Sequence, residues 1–581
     1  MNNYSDLYGK NWFAPLVLFG FTLFAHGCLL LADFVIVDGW WMLDWLNHKD
    51  WDAIKDISTK KGLYFERYFF GIFLLFPEPN IAVKVFTFIN LYLIAVIIYL
   101  ISGQTSWFSK KECLFISIVS LTLPTVRVFG NTYPFMMYLS AYLIFLFCVY
   151  TTFSIGPKIA YRHIVIRMVS LGGFFVSFTF GSLLVFYFGF LVVLMCYEKR
   201  NGKYCTSRFM YSWLIGRLDY LLLPFVFWIW RRTMFPGVGE HLTYQQPFLQ
   251  AILDIPVQFV RMVAYIIPGQ VVGGISLLFS FATVGVLAVC LSYLVARLSW
   301  RIVQVRDEDA NSVGTASLAF LTMFLLFVAV FPYWATNNTI RTDGFDTRHA
   351  LLMSIPIAML LLVVARLIPR LFSESVGSFA RYFLFIFLIG SFSVVHIKTY
   401  YDWQAISVKE QSVIYNLSKL EGLKDYRLVK VQDKFILNLL YEQPWGRWSY
   451  VLKVVCGDYE RYAFNTYRSL SIWKYPDKER ITDHVMSSSR TTAEKASILN
   501  GKQGVMTIEP GEYIPEYVGE NDKSGVQPTS EFRIGKRQKL ILVGRYLYYK
   551  FFNPEVLNEY LGTLTSISLI PVSNLLSTDR D

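Results

Sequence analysis

Three carboxylates and three tryptophans fall within thirteen residues directly after the first apolar run: Asp33-Phe-Val-Ile-Val-Asp38-Gly-Trp40-Trp41-Met-Leu-Asp44-Trp45. Carboxylates at a membrane edge are costly to desolvate, and their default reading is a functional site. A carboxylate that stays charged there can accept a proton from an attacking hydroxyl. Asp38 is the first candidate for that base, with Asp33 and Asp44 beside it. Trp40 and Trp41 stand beside Asp38 and make its setting partly apolar. The plain alternative is a solvated loop whose tryptophans serve as interfacial belt residues.

A second set of residues suits an anion. Arg67, Arg231, Arg232, Arg341, Arg348 and His349 recur at the ends of apolar runs that the topology below puts on one side of the membrane. Guanidinium forks hold phosphate oxygens two at a time. Asp44 and Glu66 could bind a divalent cation, Mg or Mn, with Asp38, or position Asp38 without one. Each cation also has a bland reading. Arg231 and Arg232 could meet lipid headgroups without selectivity. Asp343 and Asp346 could clamp Arg341 and Arg348. His26, inside the first apolar run, reads as a buried hydrogen-bonded residue rather than a ligand.

The elements that position these residues are membrane spans. Of 581 residues, 54% are hydrophobic and 17% charged, against about 25% charged in soluble proteins. The net charge of +12 sits in short clusters between apolar runs. That is the positive-inside pattern and not a nucleic-acid footprint. The seven cysteines show no CxxC and no Cys/His metal spacing. The spans read as 12–32, 81–102, 114–126, 135–150, two shortened ones within 168–197 that break near Gly181-Ser182, 213–230, 274–295, 316–331, 351–365 and 379–395. The fold class expected is a polytopic α-helical membrane protein of about eleven transmembrane helices, N-terminus cytoplasmic. Residues 1–397 form the membrane domain, with outer loops 33–80, 231–270 and 334–349. Within the first loop, Trp51-Asp-Ala-Ile-Lys and Tyr64–Phe76 read as two helices lying in the interface.

From Lys398 to Asp581 the composition becomes that of a soluble domain, which the odd number of spans places outside the cytoplasm. Arg427-Leu-Val-Lys-Val, Trp448–Val455, Lys539–Gly544 and Ser566–Ile570 read as strands, and Pro554–Leu561 as a helix. An α/β or α+β domain follows. Residues 482–530 read as long loops.

An acid soon after span one, interfacial helices, and an arginine opening a second apolar helix form an order similar to the GT-C superfamily of membrane glycosyltransferases. Arg127-Val-Phe-Gly-Asn131-Thr-Tyr-Pro134-Phe resembles a stretch of its O-antigen-modifying glucosyltransferases, and Ser177-Phe-Thr-Phe-Gly-Ser-Leu-Leu-Val-Phe-Tyr resembles their next pair of short spans. The resemblance covers residues 1–200. It departs where the family's acid in the outer turn is Asn131 here, and where its paired acids are spread over Asp33, Asp38 and Asp44. The resemblance implies an enzyme of the bacterial inner membrane. It would transfer a sugar from a polyprenyl-phosphate-linked donor to an envelope glycan or lipid-linked acceptor, by inverting displacement. Asp38 would be the base, the arginines would hold the phosphate, and Trp40, Trp41 and Asn131 would contact sugar or acceptor. The partners implied are these lipids and glycans, with no nucleic acid. The rival readings are a lipid or solute transporter or flippase, a polysaccharide polymerase or ligase, and a membrane anchor for the C-terminal domain. Polar clusters at one face, rather than at mid-membrane, favour an enzyme.

Overall fold

The computed structural model describes residues 13–35, 39–124, 132–155, 161–201, 211, 213–236, 256–257, 259–280, 289–290, 293, 314–335, 350–371, 374–433, 435–436, 447–457, 462–465, 502–511, 532–533 and 536–572. The protein is a polytopic helical membrane protein. Among the described residues, seven helices are long and apolar enough to cross a bilayer, and two shorter apolar helices, Phe13–His26 and His163–Ser177, accompany them. The chain divides into two compact units. One comprises Met1–Leu31 and Lys49–Lys398, the other Ala32–His48 and Thr399–Asp581. The stretch read from sequence as one outer loop, 33–80, is therefore shared between them.

In the first unit, the opening apolar run is not one helix. Phe13–His26 stops at Gly27, and Cys28–Leu31 follows as a single turn. Two short helices come next. Asp50 caps Trp51–Lys60 by accepting from the Ala53 amide at 3.0 Å. Glu66–Gly71 runs into the 3-10 turn Ile72–Leu75. The two helices cross where Gly71 meets the Trp51 ring. A Cβ on Gly71 would stand 2.2 Å from that ring, so only glycine permits the crossing. Pro79 then sits in the first turn of Pro79–Gln104. That helix packs along Thr132–Ile155, tied by Asn90 Nδ2 donating to Ser140 at 2.8 Å.

Lys110–Thr122 opens with a capping box between Ser109 and Glu112. The same Glu112 accepts a fork from Arg366, at 2.6 and 2.9 Å, which pins Ser354–Leu371 to it. The two shortened spans predicted within 168–197 are Tyr161–Ser177 and Gly181–Asn201; the break before Gly181 is there, but the second helix is long enough to cross a bilayer. One expectation fails here. Residues 231–270 do not form a continuous outer loop, because an apolar helix runs over Phe259–Phe279. The helix passes Pro268-Gly269 without a break. A π-helical turn at Met262–Ile266 precedes the proline, and such turns absorb the steric conflict that proline creates one turn back.

In the second unit the expected boundary at Lys398 is not an element boundary. The helix Glu374–Ser418 is unbroken over 45 residues. Its last turns bury Val413 and Leu417 in the core of the C-terminal unit. Lys409, also buried, donates to Asp433 at 2.7 Å. The strands are β1 Tyr426–Asp433, β2 Phe435–Ile436, β3 Tyr462–Asn465, β4 Lys502–Pro510, β5 Phe532–Arg533 and β6 Thr565–Val572. The main sheet has the order β3-β1-β4-β6. β1 lies parallel to β3 and β4, with Val429 opposite Ala463 and Gly504; β6 returns antiparallel on β4, with Leu569 opposite Met506. The helix Arg447–Cys456 links β1 to its parallel neighbour β3, as a parallel pair requires a crossover.

Two predicted strands are helices. Trp448–Val455 alternates loosely, but Trp448, Val451 and Leu452 recur at helical spacing and it is these that are buried. Lys539–Gly544 belongs to the helix Lys536–Phe552, which buries Leu542, Val543 and Tyr546. A run of four apolar residues does not distinguish the two periods. Conversely, β4 lies inside the stretch read as loops, because one strand is lost in the polar average around it.

Candidate functional site

The first-loop acids belong to the second unit, and each described one is held by protein. Both Asp33 oxygens are taken: Tyr546 donates its phenol at 2.8 Å to one, and Lys550 pairs with the other. The Asp33 amide donates to Gln404 at 2.9 Å, and Phe34 stacks on Tyr400 with ring centroids 6.2 Å apart. Burial first, and then the Asp33 carboxylate, push the Tyr546 phenol well above its ordinary range. A carboxylate with both oxygens so occupied fastens the chain and is a poor general base.

Asp44 is buried on the helix Gly39–Asn47. Its carboxylate lies 3.1 Å from Nδ1 of His48, one turn on, and His48 also donates to the Asp44 carbonyl at 2.9 Å. Trp40 is not a free platform. It is buried, with its ring 4.7 Å from that of Tyr450. Burial, reinforced by Asp44, raises the Tyr450 phenol. The sequence reading missed this because neither Tyr450 nor Tyr546 stands near the loop along the chain. Asp38, Asn131, Arg341, Arg348 and His349 lie outside the described residues, as does the side chain of Trp41.

The cations of the first unit gather differently. Arg67 is buried between the helices Trp51–Lys60 and Glu66–Gly71. Its Nε donates to the Tyr64 carbonyl at 2.9 Å and its Nη2 to Thr59 at 3.1 Å, while its guanidinium lies 4.2 Å over the Tyr64 ring. Glu66 is buried beside it, 3.4 Å from Lys61. Tyr64 also packs on Trp230 and Phe235, with centroids 5.8 and 4.5 Å away. Phe65 stacks on Trp230 at 5.6 Å. This aromatic brace brings the Arg67 turn to the end of Leu218–Met234 that carries Arg231 and Arg232.

The two ends of that helix contrast. At its start, Arg217 pairs with Glu198, and Arg167 pairs with Asp219. At its finish, half-buried Arg231 and exposed Arg232 have no carboxylate partner among the described residues. Arg232 lies over the Trp228 ring at 5.2 Å. Arg231 Nη1 is 3.9 Å from where a Cβ on Gly181 would be, at the start of Gly181–Asn201. The first amides of a helix lack intrahelical acceptors and face the positive end of its dipole. In the same neighbourhood Tyr138 bonds Ser182, and lies 2.9 Å from the Tyr333 hydroxyl. Cations, free amides and hydroxyls are the groups that hold an anionic, hydroxyl-rich ligand. The hydroxyl cluster was not read from sequence. Its signal was polar Tyr138, Ser182 and Tyr333 set into apolar runs.

Of the acids proposed for a cation, Asp38 lies outside the described residues. Asp44 and Glu66 belong to different units, and no three His, Cys, Asp or Glu side chains among the described residues gather around one point. No protein-family model matches the chain. No curated protein matches it either.

Proposed function

We propose that this protein is a GT-C-type glycosyltransferase of the bacterial inner membrane, taking its sugar from a polyprenyl-phosphate-linked donor at the outer face. The observation that carries the reading is the end of Leu218–Met234, where Arg231 and Arg232 lie without carboxylate partners among the described residues and Arg67 is braced alongside. A guanidinium in a half-buried site beside the bilayer is costly unless an anion comes to it. A lipid phosphate at the interface is such an anion.

In the proposed reaction the acceptor hydroxyl attacks the anomeric carbon opposite the phosphate. Its proton passes to a first-loop carboxylate, the bond from anomeric carbon to phosphate oxygen breaks, and polyprenyl phosphate leaves with that electron pair. Arg231 and Arg232 hold the developing charge, with Arg341, Arg348 and His349 proposed from sequence to join them. Of the first-loop acids, Asp38 is the proposed base, since Asp33 is engaged on both oxygens and Asp44 is buried with His48. The proposed topology puts the C-terminal unit, with its mixed sheet, outside the cytoplasm, after about eleven spans.

The test is reconstitution of the full chain in liposomes with a polyprenyl-phosphate hexose and envelope glycan. Release of polyprenyl phosphate matched by hexose on the glycan supports the reading. Donor crossing the bilayer with no hexose transferred would replace it by a flippase.

A further inference from the structure

The helix Lys536–Phe552 turns an uncovered face outward. Leu540 is 59% exposed, Tyr548 57% and Phe552 78%, with Ile541 and Phe551 exposed beside them. These positions return to one side of the helix every turn. Gly544 lies in the middle of that side, where an added Cβ would meet nothing within 4 Å. The opposite side carries the buried residues Leu542, Val543 and Tyr546. The segment contains Lys536, Arg537, Lys539, Arg545 and Lys550 and no acid. A basic helix with one apolar stripe is built to lie in the headgroup boundary of an anionic membrane.

Another protein could also cover an apolar stripe. The far side of the helix decides between them. Lys550 and Tyr546 hold Asp33. Asp33 stands two residues beyond Leu31, which ends the short turn after the first apolar helix, and two residues of chain reach no further than about 7 Å. Near the other end, Lys539 lies 3.8 Å from Asp402, which follows closely on Lys398 at the end of the last apolar run. The helix is thus fastened near both its ends to residues that follow closely on apolar runs. Lys539 and Lys550 are about 16 Å apart along the axis at 1.5 Å per residue. Two anchors, each within a few residues of the end of an apolar run and that far apart, suit an axis laid along a membrane surface.

We propose that Lys536–Phe552 is an interfacial helix that docks the C-terminal unit onto an anionic lipid surface, its stripe from Leu540 to Phe552 dipping among the acyl chains. The reading does not depend on glycosyl transfer.

It is tested on the full chain in nanodiscs of phosphatidylethanolamine and phosphatidylglycerol. The photoreactive amino acid p-benzoylphenylalanine replaces, one at a time, Tyr548, Phe551 and Phe552, and as a control Val454, which is 47% exposed on Arg447–Cys456. Variants that melt with the parent are irradiated and their adducts identified by mass spectrometry. Lipid adducts at Tyr548, Phe551 and Phe552, richer in phosphatidylglycerol, with none at Val454, are expected. Adducts to another stretch of this chain or to a second copy would overturn the proposal. So would lipid adducts as abundant at Val454, or none at any stripe position.

Discussion

His26 and His396 stand with ring centroids 4.5 Å apart, and each Nε2–H donates to one of two successive carbonyls, Leu121 and Thr122, both at 3.1 Å. Those carbonyls end Lys110–Thr122, where the last turn has no acceptor use of its own within the helix. In a bilayer such groups must be satisfied by protein. One span and the last long helix therefore meet on the end of a third, and the histidines seal it.

The expected consequence is that His26→Leu and His396→Leu each leave a buried carbonyl bare. Each should cost about 1–3 kcal/mol, read as a lower melting temperature in detergent. The two rings are in contact, so the double variant should fall short of the sum. Strict additivity would mean that the two seals act independently.

A second prediction concerns Asp33. Tyr546, buried and next to that carboxylate, has its phenol pushed above the ordinary 10.0. The folded protein keeps this proton at a pH where the unfolded chain loses it. The stability it contributes is therefore whole below about pH 10 and declines as pH rises beyond it. Tyr546→Phe should flatten that alkaline decline in a melting series. Asp33→Asn should cost about 1 kcal/mol, since the pair is partly exposed, and should leave glycosyl transfer near parental. A large loss of transfer at unchanged melting temperature would return Asp33 to the site.

The contrast between local and distant partners marks what the sequence could tell. Apolar length and basic loops were legible as spans because they depend only on neighbours in the chain. The break before Gly181 and the two short helices of the first loop were legible for the same reason. Asp33 was legible as unusual, but not as fastened, because Tyr546 and Lys550 lie more than five hundred residues away. Trp448–Val455 and Lys539–Gly544 were misread because a short apolar run fits both periods, and which side is buried is decided by the sheet. Arg67 looked like a phosphate ligand on charge alone. Its lock by Tyr64 and Thr59 depends on how two short helices cross at Gly71, which no spacing announces.

That lock separates the arginines. Arg67→Ala removes donations to the Tyr64 carbonyl and Thr59 and a contact with the Tyr64 ring. It should lower the melting temperature, and weaken donor binding only as the Tyr64 brace loosens. Arg231→Ala breaks no hydrogen bond among the described residues. It should leave the melting temperature alone and weaken binding of a polyprenyl-phosphate sugar by about 1–3 kcal/mol, the worth of charged hydrogen bonds. Arg231→Lys should recover only part, since a point charge replaces a fork. Isothermal titration with donor in nanodiscs reads both. Parental affinity in Arg231→Ala and Arg232→Ala alike would move the phosphate elsewhere.

The last prediction is the base. With Asp33 engaged on both oxygens and Asp44 buried beside His48, the first-loop acid left to accept an acceptor proton is Asp38. Asp38→Asn keeps the shape and removes the basicity. Transfer should fall by about 10²–10⁴, the usual worth of a general base, while donor binding stays parental, because in the proposed site arginines hold the phosphate. Asp44→Asn should act instead on stability, by disturbing the pairing with His48 and the ground beneath Tyr450 and Trp40. Single-turnover transfer measured beside donor affinity and melting temperature separates these outcomes. If Asp44→Asn loses transfer at parental stability while Asp38→Asn does not, the base is Asp44, and His48 is its positioning residue. If neither loses transfer, the proton goes to a group outside the first loop, and the proposed chemistry must be rebuilt around the arginine end alone.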